Sequence, residues 1–150
     1  MFRFGDVILN ILWPCQEHQE YDGEENFSEF LNDGSIVNEL VYGEHKFLFT
    51  GDITCDTEKE ILEFLENFNQ DEGLQVLKVP HHGSKFSSCE EFIETVNPDI
   101  AVIQVGKNSH GLPSLRIIRR LERYVEKIFR TDEDGDVVFV CDEIECEIKT

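Results

Sequence analysis

Apolar and polar positions along this chain change their period several times, and each change marks an element. "DVILNILWP" (6–14) is a β-type run ending at a proline and predicts an opening strand. "IVNELVY" (36–42) and "KFLFT" (46–50) are two further β-rich runs joined by "GEH", a short connection containing Gly43, as a hairpin requires. Between the opening strand and the first of these, "CQEHQEYDGEENFSEFLNDGS" (15–35) has no sustained apolar period and predicts an acidic, turn-rich, mobile loop. From Asp56 to Phe68 the spacing of Ile61, Leu62, Leu65 and Phe68 turns helical, with Asp56 and Thr57 as the expected N-cap.

The chain then alternates. "LQVLKV" (74–79) predicts a buried strand, "SSCEEFIETV" (87–96) a helix opened by a serine cap, and "DIAVIQV" (99–105) a strand rich in β-branched residues. "PSLRIIRRLERYVEK" (113–127) has Pro113 near a helix start and apolar residues at Leu115, Ile118, Leu121 and Val125. The last segment reads as "IFRT", a tight "DEDG" hairpin turn, "DVVFV" and "EIECEI". With no repeat, linker or low-complexity block, residues 1–150 are expected to form a single α/β domain: a mixed β-sheet with helices on one face.

Composition narrows the function classes. A formal charge of −19 repels nucleic acid and anionic membrane at long range, which excludes a general DNA-coating role. The five cysteines are odd in number and lack CxxC pairs, so neither a disulfide framework nor a structural zinc is encoded, and reduced, partly buried thiols are expected. Cys141 and Cys146 flank "DEIE" and can face each other across a hairpin, in a register the sequence does not fix. The N-terminal apolar run is broken by Asp6 and Asn10 and is too short and polar for a membrane span, which points to no membrane and to a cytoplasmic setting. "DEDGDV" (132–137) lacks the later glutamate and flanking helices of a calcium loop.

Three polar strings directly follow predicted strands: "TGD" (50–52), "PHHGS" (80–84) and "GKNSHGLPS" (106–114). Strand C-termini of open α/β sheets converge on one edge, so these loops are expected to share a crevice. Asp52 fits either a metal-binding carboxylate projecting from a strand end or a capping residue for the next helix. His81 and His82 fit either a site, one imidazole facing in while the other packs behind, or an idle polar loop. Ser84 and Lys85 offer donors to a phosphate oxygen, and Lys107, Asn108, Ser109 and His110 either meet an anion or make the turn into the next helix. Arg116, Arg119, Arg120 and Arg123 form one basic stripe, read as a salt-bridged solvent face.

Taken in order, "NDGSIVNELVYGEHKFLFTGD", "LKVPHHGSKFSS", "VGKNSHGLPS" and "FRTDEDGDV" resemble the C-terminal half of the metallo-β-lactamase-like domain of the ComEC competence family. The resemblance implies half of an αββα sandwich and a site holding zinc or manganese that activates water against a phosphodiester, with nucleic acid as the substrate class. On this basis Asp52 and His81 are expected as metal ligands, His82, Ser84 and His110 as catalytic residues, and Lys85 and Asn108 as contacts to substrate phosphate. The motif does not fix which of His81 and His82 is the ligand. Two departures stand out: no HxHxDH string occurs, and "HGLP" stands where relatives read "YGHP", so Leu112 replaces a histidine and His110 a tyrosine. Activity is therefore expected to need a complementary N-terminal half-domain, or self-association, which would also cover the second face of the sheet. The alternative is a non-catalytic protein-binding module that retains the fold.

Overall fold

The computed structural model describes residues 1–14, 27–65, 68 and 72–150. Cys15 and most of the loop expected to be mobile lie outside the described residues. Seven strands form one sheet in sequential order: β1 (Phe2–Phe4), β2 (Val7–Trp13), β3 (Val37–Tyr42), β4 (His45–Phe49), β5 (Gln75–Lys78), β6 (Ile100–Ile103) and β7 (Lys127–Arg130). The first four pair antiparallel and β4 to β7 pair parallel, so the sheet is mixed. A separate hairpin joins β8 (Val138–Cys141) to β9 (Cys146–Lys149).

The parallel half needs crossovers, and the helical segments supply them. The helices are α1 (Phe27–Asp33), α2 (Cys55–Glu60), α3 (Leu62–Leu65), α4 (Glu90–Val96), α5 (Leu115–Tyr124) and α6 (Thr131–Asp134). Residues from α2 to α5 bury Ile61, Leu65, Phe92, Ile93, Val96, Ile117 and Leu121 against Leu48, Leu77, Ala101 and Ile103, which all point to one face of the sheet. Period-two alternation sends Val76, Ile100, Val102 and Phe129 to the other face. Each strand of the parallel half is thus apolar on both sides, as its continuous hydrophobic run requires. The α/β class with helices on one face is as expected from the sequence.

The second face is partly covered from within the chain. Val137, Phe139 and Ile148 of the terminal hairpin pack on it, and the Phe47 and Phe139 rings meet edge to face at 5.4 Å. Between this hairpin and the sheet lies an apolar cavity of about 480 Å³ lined by Leu40, Tyr42, Phe47, Phe49, Val76 and Phe139, with Lys78 and Gln104 also on its wall.

Several local expectations are corrected. α1 occupies residues assigned to loop. "DEDG" is not a hairpin turn: "IFRT" enters the main sheet parallel to β6, residues 131–134 form a helical turn, and "DVVFV" leaves to pair with β9. The helix predicted over 56–68 starts at Cys55, with Thr54 rather than Asp56 or Thr57 as its N-cap, and breaks at Ile61. No serine side chain caps α4; the buried Glu58 of α2 accepts hydrogen bonds from the backbone N–H groups of Ser88 (2.5 Å) and Cys89 (2.7 Å) instead. The four described cysteines are not the reduced thiols expected: Cys55 is bonded to Cys89, and Cys141 to Cys146, directly opposite each other across the hairpin. Among the described residues no helix is long and apolar enough to cross a membrane.

Candidate functional site

The loops after β4, β5 and β6 meet at the C-terminal edge of the parallel strands, where ligands gather in open α/β sheets. Thr50 Oγ1 donates to the Lys78 carbonyl at 2.8 Å and clips the ends of β4 and β5 together. Gly51 then turns with φ +57°, and a Cβ there would stand 2.6 Å from Cβ of Ser35, so only glycine fits. Ser35 Oγ accepts from the Asp52 N–H (3.1 Å), which sets the direction in which Asp52 leaves the strand. Asp33 at the end of α1 secures the next turn: its Oδ1 accepts from Thr54 N (2.9 Å), Thr54 Oγ1 (2.8 Å) and Thr57 Oγ1 (2.8 Å). With Thr54 as the cap of α2, the Asp52 carboxylate is left for the site.

Pro80–Gly83 forms a tight 3₁₀-type turn in which His81 (φ 47°), His82 (φ 53°) and Gly83 (φ 75°) are all left-handed. Two successive non-glycine residues in that region are costly and persist only where the surroundings hold them. Here the His81 N–H donates to the Gly51 carbonyl (3.2 Å), the Ser114 N–H donates to the Gly83 carbonyl (2.9 Å), and Pro113 packs so closely on Gly83 that a Cβ would meet it at 2.8 Å.

The turn brings His82 to Asp52, with Nε2 3.5 Å from Oδ1. The other ring nitrogen, Nδ1, lies 2.6 Å from the Gln104 carbonyl. A carbonyl only accepts, so Nδ1 carries a hydrogen and the ring is held with Nε2 on the Asp52 side. Lys78 lies on the same carboxylate, Nζ 3.7 Å from Oδ1, and donates to the Gly51 carbonyl at 2.6 Å. Burial pulls the Lys78 ammonium below its ordinary pKa against the opposing pull of Asp52. His81 is half-buried, and burial likewise lowers its pKa, with Asp52 opposing and His82 and Lys78 adding to the effect. Its Nδ1 is enclosed with no hydrogen-bond partner among the described residues.

The remaining candidates divide. His110 and His82 line one open depression of about 510 Å³ together with Lys107, Asn108 and Thr131. Asn108 spends its amide within the loop: Nδ2 donates to the carbonyls of Gly106 and Leu112, and Oδ1 accepts from the N–H groups of His110 and Leu112. Ser84 is buried, its Oγ accepting from Phe86 N at 3.3 Å inside its own turn. Lys85 is exposed and its ammonium sits 4.8 Å from the Phe86 ring centre. In the arginine stripe, Arg123 pairs with Glu90 (3.0 Å) and Arg120 donates to the Ser88 carbonyl, which joins α5 to α4. Sequence reasoning missed the supporting roles of Asp33 and of the Gln104 carbonyl; the first lay in a presumed loop, and the second is a backbone group that no motif encodes.

A divalent metal finds a partial fit. The Asp52 carboxylate and the oriented Nε2 of His82 are suitable donors, and the orphaned Nδ1 of His81 is a further imidazole atom without a protein partner. A catalytic zinc takes three protein ligands plus water, and Lys78 shares the carboxylate, so Asp52 and His82 supply part of such a set.

The architecture is a mixed α/β sheet with a polar site at its parallel-strand edge, and the sequence is homologous to a segment of competence-associated proteins. The chain is 35% identical over 109 residues to ComE operon protein 3 of Bacillus subtilis, 33% over 107 to Recombination protein 2 of Haemophilus influenzae, and 31% over 109 to Competence protein ComA of Neisseria gonorrhoeae. These matches take in 72%, 71% and 72% of this chain but 14%, 13% and 15% of the relatives, so the chain spans a small part of their length. No protein-family model matches it.

Proposed function

We propose that this domain is part of a ComEC-like hydrolase of metallo-β-lactamase fold that cleaves phosphodiesters of nucleic acid with the help of zinc or manganese. The observation that carries the reading is the Asp52–His82 pair, with the imidazole fixed through Nδ1 on a backbone carbonyl, the support that metal-ligating histidines ordinarily have. The relatives' names, which concern competence and recombination, agree with a role in handling DNA. A bound metal would supply an activated water at neutral pH. Asp52 and His82 hold it from this side, Lys78 and Lys107 bring positive charge to an anionic substrate in an otherwise acidic molecule, and His110 faces the same depression as His82. Further ligands come from a complementary segment or a second copy seated over the site.

A second reading, a protein-binding module without catalysis, draws on Lys78, which neutralises Asp52 as a metal would. Titration of the chain with Zn²⁺ and Mn²⁺ by calorimetry separates the two. The hydrolase reading expects weak stoichiometric binding that falls about tenfold in Asp52→Ala and in His82→Ala, the loss typical of a removed ligand or its support. Equal binding by all three proteins would overturn it and favour the second.

A further inference from the structure

Cys55 stands three residues after Asp52, and Cys89 seven after His82. Their disulfide closes a gap of 34 residues with Cα atoms 5.5 Å apart, and both cysteines are only half-buried. The bridge ties the loop that carries Asp52 to the loop that carries both histidines, beside the backbone bond from Cys55 N–H to the Phe86 carbonyl (3.0 Å). Behind it sits Glu58, with no exposed surface. One carboxylate oxygen of Glu58 and the two sulfurs lie within 4.8 Å of one another.

A buried carboxyl is an expensive way to cap a helix when serine suffices. The groups that face Glu58 are the N–H donors of Ser88 and Cys89, Arg120 from α5 and Asp33 from α1. Burial outweighs the two hydrogen bonds and the arginine, and Asp33 adds to burial, so Glu58 titrates at about 7. A group that gives and takes protons near neutrality thus lies against a disulfide between two half-buried cysteines.

We propose that Cys55, Cys89 and Glu58 form a thiol–disulfide exchange site whose reductant is a dithiol. One thiolate of the dithiol bonds to one sulfur of the bridge as the Cys55–Cys89 bond breaks, and the electron pair leaves on the other sulfur, which takes the Glu58 proton. The second thiol of the reductant returns a proton to Glu58 and attacks the mixed disulfide. The second cysteine leaves as thiolate and takes from water the proton released when the first thiol ionised. The protein gains two electrons and two protons, and the dithiol becomes a disulfide. Reduction removes the covalent tie between the two site loops, whatever reaction the site performs.

The experiment uses the oxidised full chain and dithiothreitol under native conditions, with alkylation and peptide mass mapping to follow each disulfide separately. Cys141–Cys146, which has no such carboxyl assigned to it, is the internal control. Cys55–Cys89 should open while circular dichroism stays native. Its rate per reductant thiolate should fall about tenfold as pH rises through 7, because Glu58 loses the proton it donates. Glu58→Gln should abolish that inflection; if this variant does not fold, the two wild-type profiles decide. The proposal is overturned if the bridge opens only on unfolding, if its profile parallels that of Cys141–Cys146, or if the reduced protein instead carries stoichiometric zinc.

Discussion

Replacing Asp33 tests the structural account of the site most directly, because one oxygen of that side chain holds three donors. In Asp33→Ala the Thr54 N–H and the hydroxyls of Thr54 and Thr57 lose their acceptor, and both threonines are buried, at 8% and 3% exposure. A buried donor left without a partner costs about 1–3 kcal/mol. The hydroxyls can rotate towards other acceptors whereas the amide cannot, so the net loss should be about 2–4 kcal/mol. At roughly 2–4 °C per kcal/mol for a domain of this size, Tm should fall by about 4–16 °C. Asp33→Asn keeps an oxygen in place and should cost about 1 kcal/mol, the worth of the charge in these bonds. Urea denaturation measures both, with an unchanged m-value as the sign that the folded and unfolded states are otherwise alike. Amide exchange at Thr54 and Asp52 should quicken in the alanine variant. A loss under about 0.5 kcal/mol for Asp33→Ala, or equal damage from both variants, would refute the assignment of Asp33 as the anchor of this turn.

Three further outcomes follow from geometry and charge. Glu58, raised from 4.5 to about 7, binds its proton more tightly folded than unfolded; its stabilising contribution is complete below 4.5 and is lost as pH rises through about 7. The stability of the wild type relative to Glu58→Gln should therefore fall by about 3 kcal/mol across that window, and parallel pH profiles would contradict it. Gly83→Ala places a Cβ 2.8 Å from Pro113 at a left-handed position and should cost about 2–3 kcal/mol by thermal denaturation, with an unchanged Tm as the contrary result. Phe139→Ala removes the ring that meets Phe47 and should lower stability by about 2 kcal/mol, with amide exchange rising first in β8 and β9.

What the sequence disclosed depended on how local the cause was. The parallel half was legible because its strands are continuous apolar runs and its helices keep a helical period, as in "DIAVIQV" and "LRIIRRLERY". The positions of "TGD", "PHHGS" and "GKNSHGLPS" at strand ends followed from those elements. The path of the chain after Thr131 was not legible, since a "DEDG" turn looks the same whether the next strand folds back or departs to another layer; packing of Val137, Phe139 and Ile148 on the second face decides it. Neither disulfide was expected from the sequence, which lacks CxxC pairs. Cys141 and Cys146 are neighbours in one hairpin, whereas Cys55 and Cys89 meet only because β4 and β5 lie side by side. Which imidazole lies beside Asp52 depends on the left-handed backbone of His81 and His82, which the sequence around them does not signal.

Those angles bear on how the motif can be moved between proteins. "HHG" is a short string, but its shape is imposed from three distant places: the Gly51 carbonyl under His81, the Pro113 ring against Gly83, and the Gln104 carbonyl on His82. Transplanted alone into another scaffold, the five residues from Pro80 to Ser84 would relax to right-handed or extended backbone and scatter their imidazoles. The smallest portable unit is discontinuous, and it must include the ends of three strands and the start of α5.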